Sequence, residues 1–582
     1  MLNQESRYDF RKRMVQPHLP GRRDFSQLPE PEELVLEDGL SVVCTDDLGP
    51  VVANAAADFV RFFSVSMQVC AKMNGQTGGQ TVRLQLADDL GEYNTYKGYR
   101  IEVGQTLTVS GFDARGLAQA LYDLEDVLSA RRAPYLKKGT YFRKPMYAPM
   151  MVHSGYGFDQ FPDAYLQQIA RSGRDAIMIF VKGMNRTPHG ELDFNDVIAR
   201  AARYGLDVYA YSNLISNTHP DDPNAEAEYE STYGQLFAQC PGFKGVILVG
   251  ESVEFPSKDP HVSSLKYYNN EVDGIPTGKP SPGWYPCYDY PKWLRLLQKV
   301  IYRHRPDADI VFWSYNWDKA PEEDRIRLIE SLPEGITLQA TFEMGEAFQV
   351  GAFGDYCADY TLSFAGPGAY FTSEAKAAKK RNIKLYAMTN TGGMTWDFGV
   401  VPYQPMPQQW QKRYREMERA HDLWGLSGIM ESHHYGLYPS FISKLSKWTF
   451  SEPRLPYDEL LDWVLAEEYG SECLAQIRKA LELWSEAITW YTPSDADQYG
   501  AFRVGMSYPF CLDTPIKMRS APDATLKGIC YTEYIDFEKG YGAAFVSLRV
   551  PEEIKALETM LRLHTRFTSA VSQVLNEIRQ TS

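Results

Sequence analysis

From residue 146 to about 450 the chain repeats one alternation: a short, continuously apolar run, then a longer segment with apolar residues three and four apart. The runs are YAPMMVH (147–153), AIMIFV (176–181), LDVYAY (206–211), GVILVG (245–250), DIVFWS (309–314), ITLQATF (336–342), IKLYAM (383–388) and LSGIME (426–431). A run apolar at every position is buried on both faces, as parallel strands are. Parallel neighbours need a crossover between them, and segments such as DAYLQQIARSG, FNDVIARAARYG and YPKWLRLLQKVIYRH supply helices. Eight such units over about 300 residues predict a (β/α)8 TIM barrel, with a doubly wound sheet as the alternative. A further run, YTLSF (360–364), is a strand candidate that a count of eight does not accommodate.

The flanks read differently. Residues 1–145 mix strand-like runs (SVVC, TVRLQLA, YRIEV, QTLTVSG) with helical stretches. In RGLAQALYDLEDVL, the residues Leu117, Leu121, Leu124 and Leu128 share one face, so this part is a small α+β domain. Residues 451–582 carry long amphipathic segments and read as a helical C-terminal domain, which leaves 146–450 as the barrel. The formal net charge of −15 is the wrong sign for a nucleic-acid or anionic-membrane partner. The N-terminal stretch lacks the apolar core of a signal peptide, and no apolar run approaches the roughly 20 residues that span a bilayer, so a cytoplasmic location is expected. The eight cysteines form no CxxC pair and read as free thiols. A homodimer is left open.

In a (β/α)8 barrel the site lies at the C-terminal ends of the strands. Here those ends carry His153, then Lys182, then Tyr211, then Glu251 just after Gly250. The later strands end in Trp313, Tyr315 and Asn316; in Glu343 and Glu346; in Asn390, Trp396 and Asp397; and in Glu431, His433, His434 and Tyr435. Adjacent His433 and His434 point to opposite sides of an extended chain, so at most one faces a site. Asp259, His261, His433 and His434 share no compact ligand spacing, and no metal site is expected. No phosphate loop, GxSxG elbow or HExxH is present, and no cofactor is expected.

Carboxylates, aromatic faces and amide or imidazole groups at one edge suit glycoside hydrolysis. That reaction needs a carboxylic acid to protonate the leaving oxygen and a second group to assist at the anomeric carbon. A Glu walled by aromatic rings is kept protonated near neutral pH by desolvation. The candidate catalytic residues are Glu251, Glu343 and Glu346, with the other strand-end residues binding an oligosaccharide or glycoconjugate.

Two stretches add a resemblance. GYRIEV, TLTVSG and FDARGLAQALYDLEDVL are similar to the zincin-like α+β domain that precedes the barrel in family 20 hexosaminidases and family 67 α-glucuronidases. PGFKGVILVGESVEFPS resembles the fourth-strand motif of the α-glucuronidases, which implies that Glu251 is the general acid. DIVFWSYNWDKAPEEDR and ITLQATFEMGEAFQ resemble their fifth and sixth strands, which implies a catalytic base in the Glu343–Glu346 stretch, most nearly at Glu346. Two departures bear on the substrate. The basic residues that hold a uronate carboxylate in that family have no counterpart in FWSYNW or VILVGE, and Lys182 is the one basic residue expected at the rim. Gly250 stands where family 20 places an Asp, so an acetamido N–H would need another acceptor, such as Glu254, Glu343 or Asp397. Burying a carboxylate without a cation is costly. Barrels carrying an N-terminal domain of the kind this one resembles often act on acetamido sugars, and the aromatic edge offers apolar contacts for an acetamido methyl. The expected activity is removal of a 2-acetamido sugar, a β-N-acetylhexosaminide of the GalNAc or GlcNAc type, by carboxylate general acid catalysis, with the second group either a carboxylate or the sugar's own acetamido. An α-glucuronidase is the alternative within the class, and a catalytically silent carbohydrate-binding protein the alternative outside it.

Overall fold

The computed structural model describes residues 16–75, 79–153, 160–188, 190–250, 271–272, 275–276, 287–315, 317–350, 353–357, 360–397, 403–431, 433, 436–491 and 543–581. Its centre is a closed, all-parallel barrel of eight strands, numbered here β1 (Met150–His153), β2 (Ala176–Val181), β3 (Asp207–Ser212), β4 (Phe243–Val249), β5 (Asp309–Trp313), β6 (Ile336–Thr341), β7 (Leu385–Met388) and β8 (Leu426–Met430). Chain order is barrel order, and the Met430–Met151 pairing of β8 with β1 closes it. The eight apolar runs of the sequence are these eight strands, each buried on both faces as their continuous apolarity predicts. The ninth candidate, 360–364, is not a strand but an irregular segment after the hairpin Glu346–Val350/Phe353–Cys357.

Ahead of the barrel, the strands read from SVVC, TVRLQLA, YRIEV and QTLTVSG lie in one seven-stranded sheet. Helices Gly49–Phe62 and Ala114–Arg131 pack on it. Asp113 caps the second helix by accepting from the Gly116 N–H at 2.7 Å, and Leu117, Leu121, Leu124 and Leu128 form its buried face. One edge of this sheet comes from beyond the barrel: Ser451–Glu452 pairs antiparallel with Lys144 and Pro145.

Buried and half-buried ion pairs fasten this unit to the barrel. Lys97, 5% exposed, reaches Asp175 at 2.7 Å just before β2. Arg115 holds Asp207 at the start of β3 through two nitrogens, at 2.7 and 3.0 Å. The Arg171 guanidinium lies between Asp58 and Glu125, beside His18. Downstream, helices Tyr457–Tyr469 and Leu474–Ile488 follow the barrel, and Ala543–Thr581 packs along the latter with Trp484 against Phe567, ring centroids 4.5 Å apart. No helix among the described residues is long and apolar enough to cross a membrane.

Candidate active site at the strand ends

The C-terminal ends of the barrel strands converge on His433, three residues beyond β8 and 2% exposed. Its ring is stacked on Trp396 at 5.5 Å and 18°. Trp313 at 5.0 Å, Tyr315 at 5.4 Å, Tyr360 at 5.5 Å and His153 at 5.6 Å meet it edge-on. Tyr211 Oη and His433 Nε2 are hydrogen-bonded at 3.1 Å. Edge-to-face and offset-stacked contacts are the favoured geometries for rings, so this cluster is built rather than merely crowded.

Polar bonds fix the cluster from outside. The His433 main-chain N–H donates to Asn390 Oδ1 at 3.2 Å, and Trp396 Nε1 donates to the His433 carbonyl at 3.2 Å. Asn390 holds its place with a left-handed backbone, φ 45°, which Asn tolerates better than most residues. Trp313 Nε1 donates to Thr341 Oγ1 at 3.1 Å.

The ends of β6 and β7 also carry buried carboxyls. Glu343, just past β6, pairs with Arg413 at 3.1 Å, and neither side chain is exposed. Burial pushes the Glu343 carboxyl up to about 7; Arg413 opposes this and Asp397 adds to it. Asp397 Oδ2 accepts from the Leu362 N–H and from Thr395 Oγ1, both at 2.7 Å. Burial also raises its pKa above the usual carboxylate range.

The structure thus brings together His153, Trp313, Tyr315, Trp396 and His433, with Asn390, Asp397 and Glu343 in support. Three expected residues stand otherwise engaged or apart. Glu346 Oε2 accepts from the Ala369 N–H at 2.5 Å and so holds the N-terminus of helix Ala369–Arg381. Glu431 is buried against Arg174 at 2.9 Å and accepts from Thr391 Oγ1 at 2.6 Å, an ion pair that braces the β8 end. Lys182 is exposed at the end of β2. Glu251, Glu254, Asp259, His261, Asn316, His434 and Tyr435 lie outside the described residues.

Gly250 explains why β4 leaves the barrel through a glycine. A Cβ there would stand 2.6 Å from the Trp317 indole nitrogen, closer than packing permits.

The sequence reading did not single out Tyr360 or Arg413. Tyr360 falls in the segment read as a surplus strand, and Arg413 sits in the middle of helix Pro407–Trp424, far from any strand end. Tyr211 carried the right signal, an aromatic residue at the end of β3.

No protein-family model and no curated protein sequence matches the chain. Solved structures do. A GH138 enzyme targeting pectin rhamnogalacturonan II aligns with a TM-score of 0.53 at 12% identity, over 78% of this chain and 70% of that one. A family GH115 4-O-methyl-α-glucuronidase with specificity for decorated arabinogalactans aligns with a TM-score of 0.51 at 11% identity, over 79% of this chain and 63% of that one. A β-N-acetylhexosaminidase from Bacteroides fragilis overlays more loosely, with a TM-score of 0.45 at 11% identity, over 78% of this chain and 96% of that one. At such identities the likeness is one of architecture: the closed (β/α)8 barrel is a fold this chain shares with glycoside hydrolases.

Proposed function

We propose that the protein is a glycoside hydrolase that removes a terminal 2-acetamido sugar, a β-N-acetylhexosaminide of the GalNAc or GlcNAc type. The observation that carries this reading is the ring cluster around His433, together with a buried carboxyl at the end of β6, Glu343, whose pKa is pushed up to about 7. Aromatic faces suit the C–H faces of a pyranose, and a carboxyl that titrates near neutrality suits proton transfer at the glycosidic bond.

Glu251 is the general acid in this reading, from its position one residue after Gly250 at the exit of β4. Glu343 is its partner. The engagement of Glu346 at a helix terminus favours Glu343 over Glu346 for that role. An uncharged sugar is favoured over a uronate because Arg174 and Arg413 are already paired with Glu431 and Glu343, which leaves a uronate only the exposed Lys182 at the end of β2.

The test is a panel of p-nitrophenyl glycosides covering β-GlcNAc, β-GalNAc and α-glucuronide, with and without an N-acetylhexosamine thiazoline. Cleavage of a β-N-acetylhexosaminide, inhibited by the thiazoline far better than by the free sugar, is expected, since an enzyme binds species near its transition state most tightly. Cleavage of the α-glucuronide alone would replace this substrate with the uronate. Sugar binding without turnover of any glycoside would replace the enzyme with a binding protein.

A further inference from the structure

The segment Tyr360–Ala365 runs without strand pairing, yet side chains satisfy its main chain almost group by group. The Leu362 N–H donates to Asp397 at 2.7 Å. The carbonyls of Leu362 and Ser363 accept from Gln409 Nε2 at 2.9 and 3.3 Å. The carbonyls of Phe364 and Ala365 accept from Arg413 at 2.9 and 3.2 Å, and that of Thr361 accepts from the same guanidinium. Gln409 and Arg413 lie four residues apart on helix Pro407–Trp424 and so share a face, and both are buried. Ser363 Oγ adds a bond to the Tyr491 carbonyl, just past the C-terminal helix Leu474–Ile488.

A buried loop must pair its polar groups, which by itself explains some of these bonds. What they fix in place is more specific. The first residue of the segment, Tyr360, forms one wall of the ring cluster. Its ring lies parallel to Tyr315 at 6.1 Å and 11°, and edge-on to Trp396 at 4.7 Å and to His433 at 5.5 Å. Tyr360 is fully buried there. The helix bears on Tyr360 through this segment, while Arg413 also reaches Glu343 and the Thr389 carbonyl.

We propose that Gln409 and Arg413 are positioning residues that clamp the 361–365 segment and so hold Tyr360 as a specificity-determining wall of the sugar site. The proposal rests on the glycosidase reading for its substrate and on the clamp geometry for everything else. Neither positioning residue needs to touch the sugar. A displaced wall weakens ground-state binding more than it alters the chemistry, so the effect falls on KM before kcat.

The decisive variant is Gln409→Met, which removes two bonds to the segment and leaves the Arg413–Glu343 pair in place. Tyr360→Leu removes the aromatic face while keeping an apolar side chain at the position. Tyr360→Leu is expected to raise KM about tenfold or more with a smaller change in kcat, and Gln409→Met to raise it about three- to tenfold. The double variant is expected to match Tyr360→Leu within about twofold, because the second change acts through the first. Wild-type KM in Gln409→Met, or multiplying effects in the double variant, would overturn the proposal.

Hydrogen exchange reads the clamp without any substrate. Amides of 360–365 are expected to exchange about tenfold faster or more in Gln409→Met, with β5 to β7 unchanged. Unchanged exchange in 360–365 sinks the clamp even if glycosides are hydrolysed. Faster exchange in a protein that hydrolyses none of the glycosides sustains the clamp and rejects the glycosidase reading instead. Should Gln409→Met fail to fold, Arg413→Lys, which keeps the charge opposite Glu343 but not the forked reach to three carbonyls, carries the same exchange readout with the same two outcomes.

Discussion

Glu343 and Arg413 meet at 3.1 Å with both side chains fully buried, one from the end of β6 and the other from the middle of helix Pro407–Trp424. The arginine brings a positive charge to a carboxyl that burial would otherwise drive higher still, and Asp397 pushes the other way. The balance leaves a carboxyl that titrates near neutral pH, where a proton can move in either direction at little cost.

If Glu343 is the partner of the general acid, Glu343→Gln should keep the fold and lower kcat by about two to four decades, the usual scale of acid–base assistance. As a base it must be ionised, so wild-type kcat/KM should fall as pH drops below about 7, matching its raised pKa. That limb should vanish in Glu343→Gln. A pH–rate profile for the two proteins on one substrate decides the matter; an unchanged limb in the variant removes Glu343 from the chemistry.

The same carboxyl leaves a mark on stability. Its folded pKa, about 7, lies above its ordinary value of 4.5. The folded state then holds the proton more tightly, so this contribution is fully present below about pH 4.5 and is lost as pH rises through 7. Glu374, also about 7 through burial and held by Ser314 and Arg325, acts in the same direction. Each such group changes stability by up to about 1.4 kcal/mol per pH unit across that window. Tm should decline from pH 5 to 7.5, and Glu343→Gln should decline less. A variant that follows the wild-type curve throughout would contradict the raised pKa.

Glu251→Gln should depress turnover of substrates with poor leaving groups by about two to four decades and spare activated aryl glycosides, which need less protonation. A graded series of aryl leaving groups measures this directly. Equal loss across the series would remove Glu251 as the acid.

Lys97→Met should cost about 3–5 kcal/mol, because it strands the buried carboxylate of Asp175 without its partner. Asp175 also accepts from the Met150 N–H at the start of β1, so the damage should reach the barrel. Urea unfolding followed by tryptophan fluorescence should show a lower midpoint with a single transition. A stable barrel with only the N-terminal unit melted would show the two parts to be independent.

The barrel was legible because parallel strands advertise themselves: runs such as AIMIFV and GVILVG have no polar face to hide. The ring cluster was legible for a related reason, since Trp313 ends β5, His433 follows β8 by three residues and Trp396 lies in the loop after β7. What the sequence hides is partnership at long range. Glu343 and Glu346 look alike in TFEMGE, and only the start of a helix at Ala369 engages one of them. Glu431 reads as a site acid until Arg174, some 250 residues earlier, is found against it. Tyr360 was obscured by its own neighbours: YTLSF has the residue types of a strand, but its main chain is satisfied by Asp397, Gln409 and Arg413 rather than by another strand.

The pairing of Ser451–Glu452 with Lys144 and Pro145 also has a consequence during synthesis. The N-terminal sheet reaches the ribosome exit first, but the strand that completes its edge lies about 300 residues downstream. At about 5–20 residues per second, that strand of the nascent sheet stays uncovered for on the order of 15–60 s. An uncovered edge is a template for mispairing with any other extended chain nearby. Two residues at the end of that strand, Lys144 and Pro145, are therefore left open to mispairing until the far side of the barrel has been made.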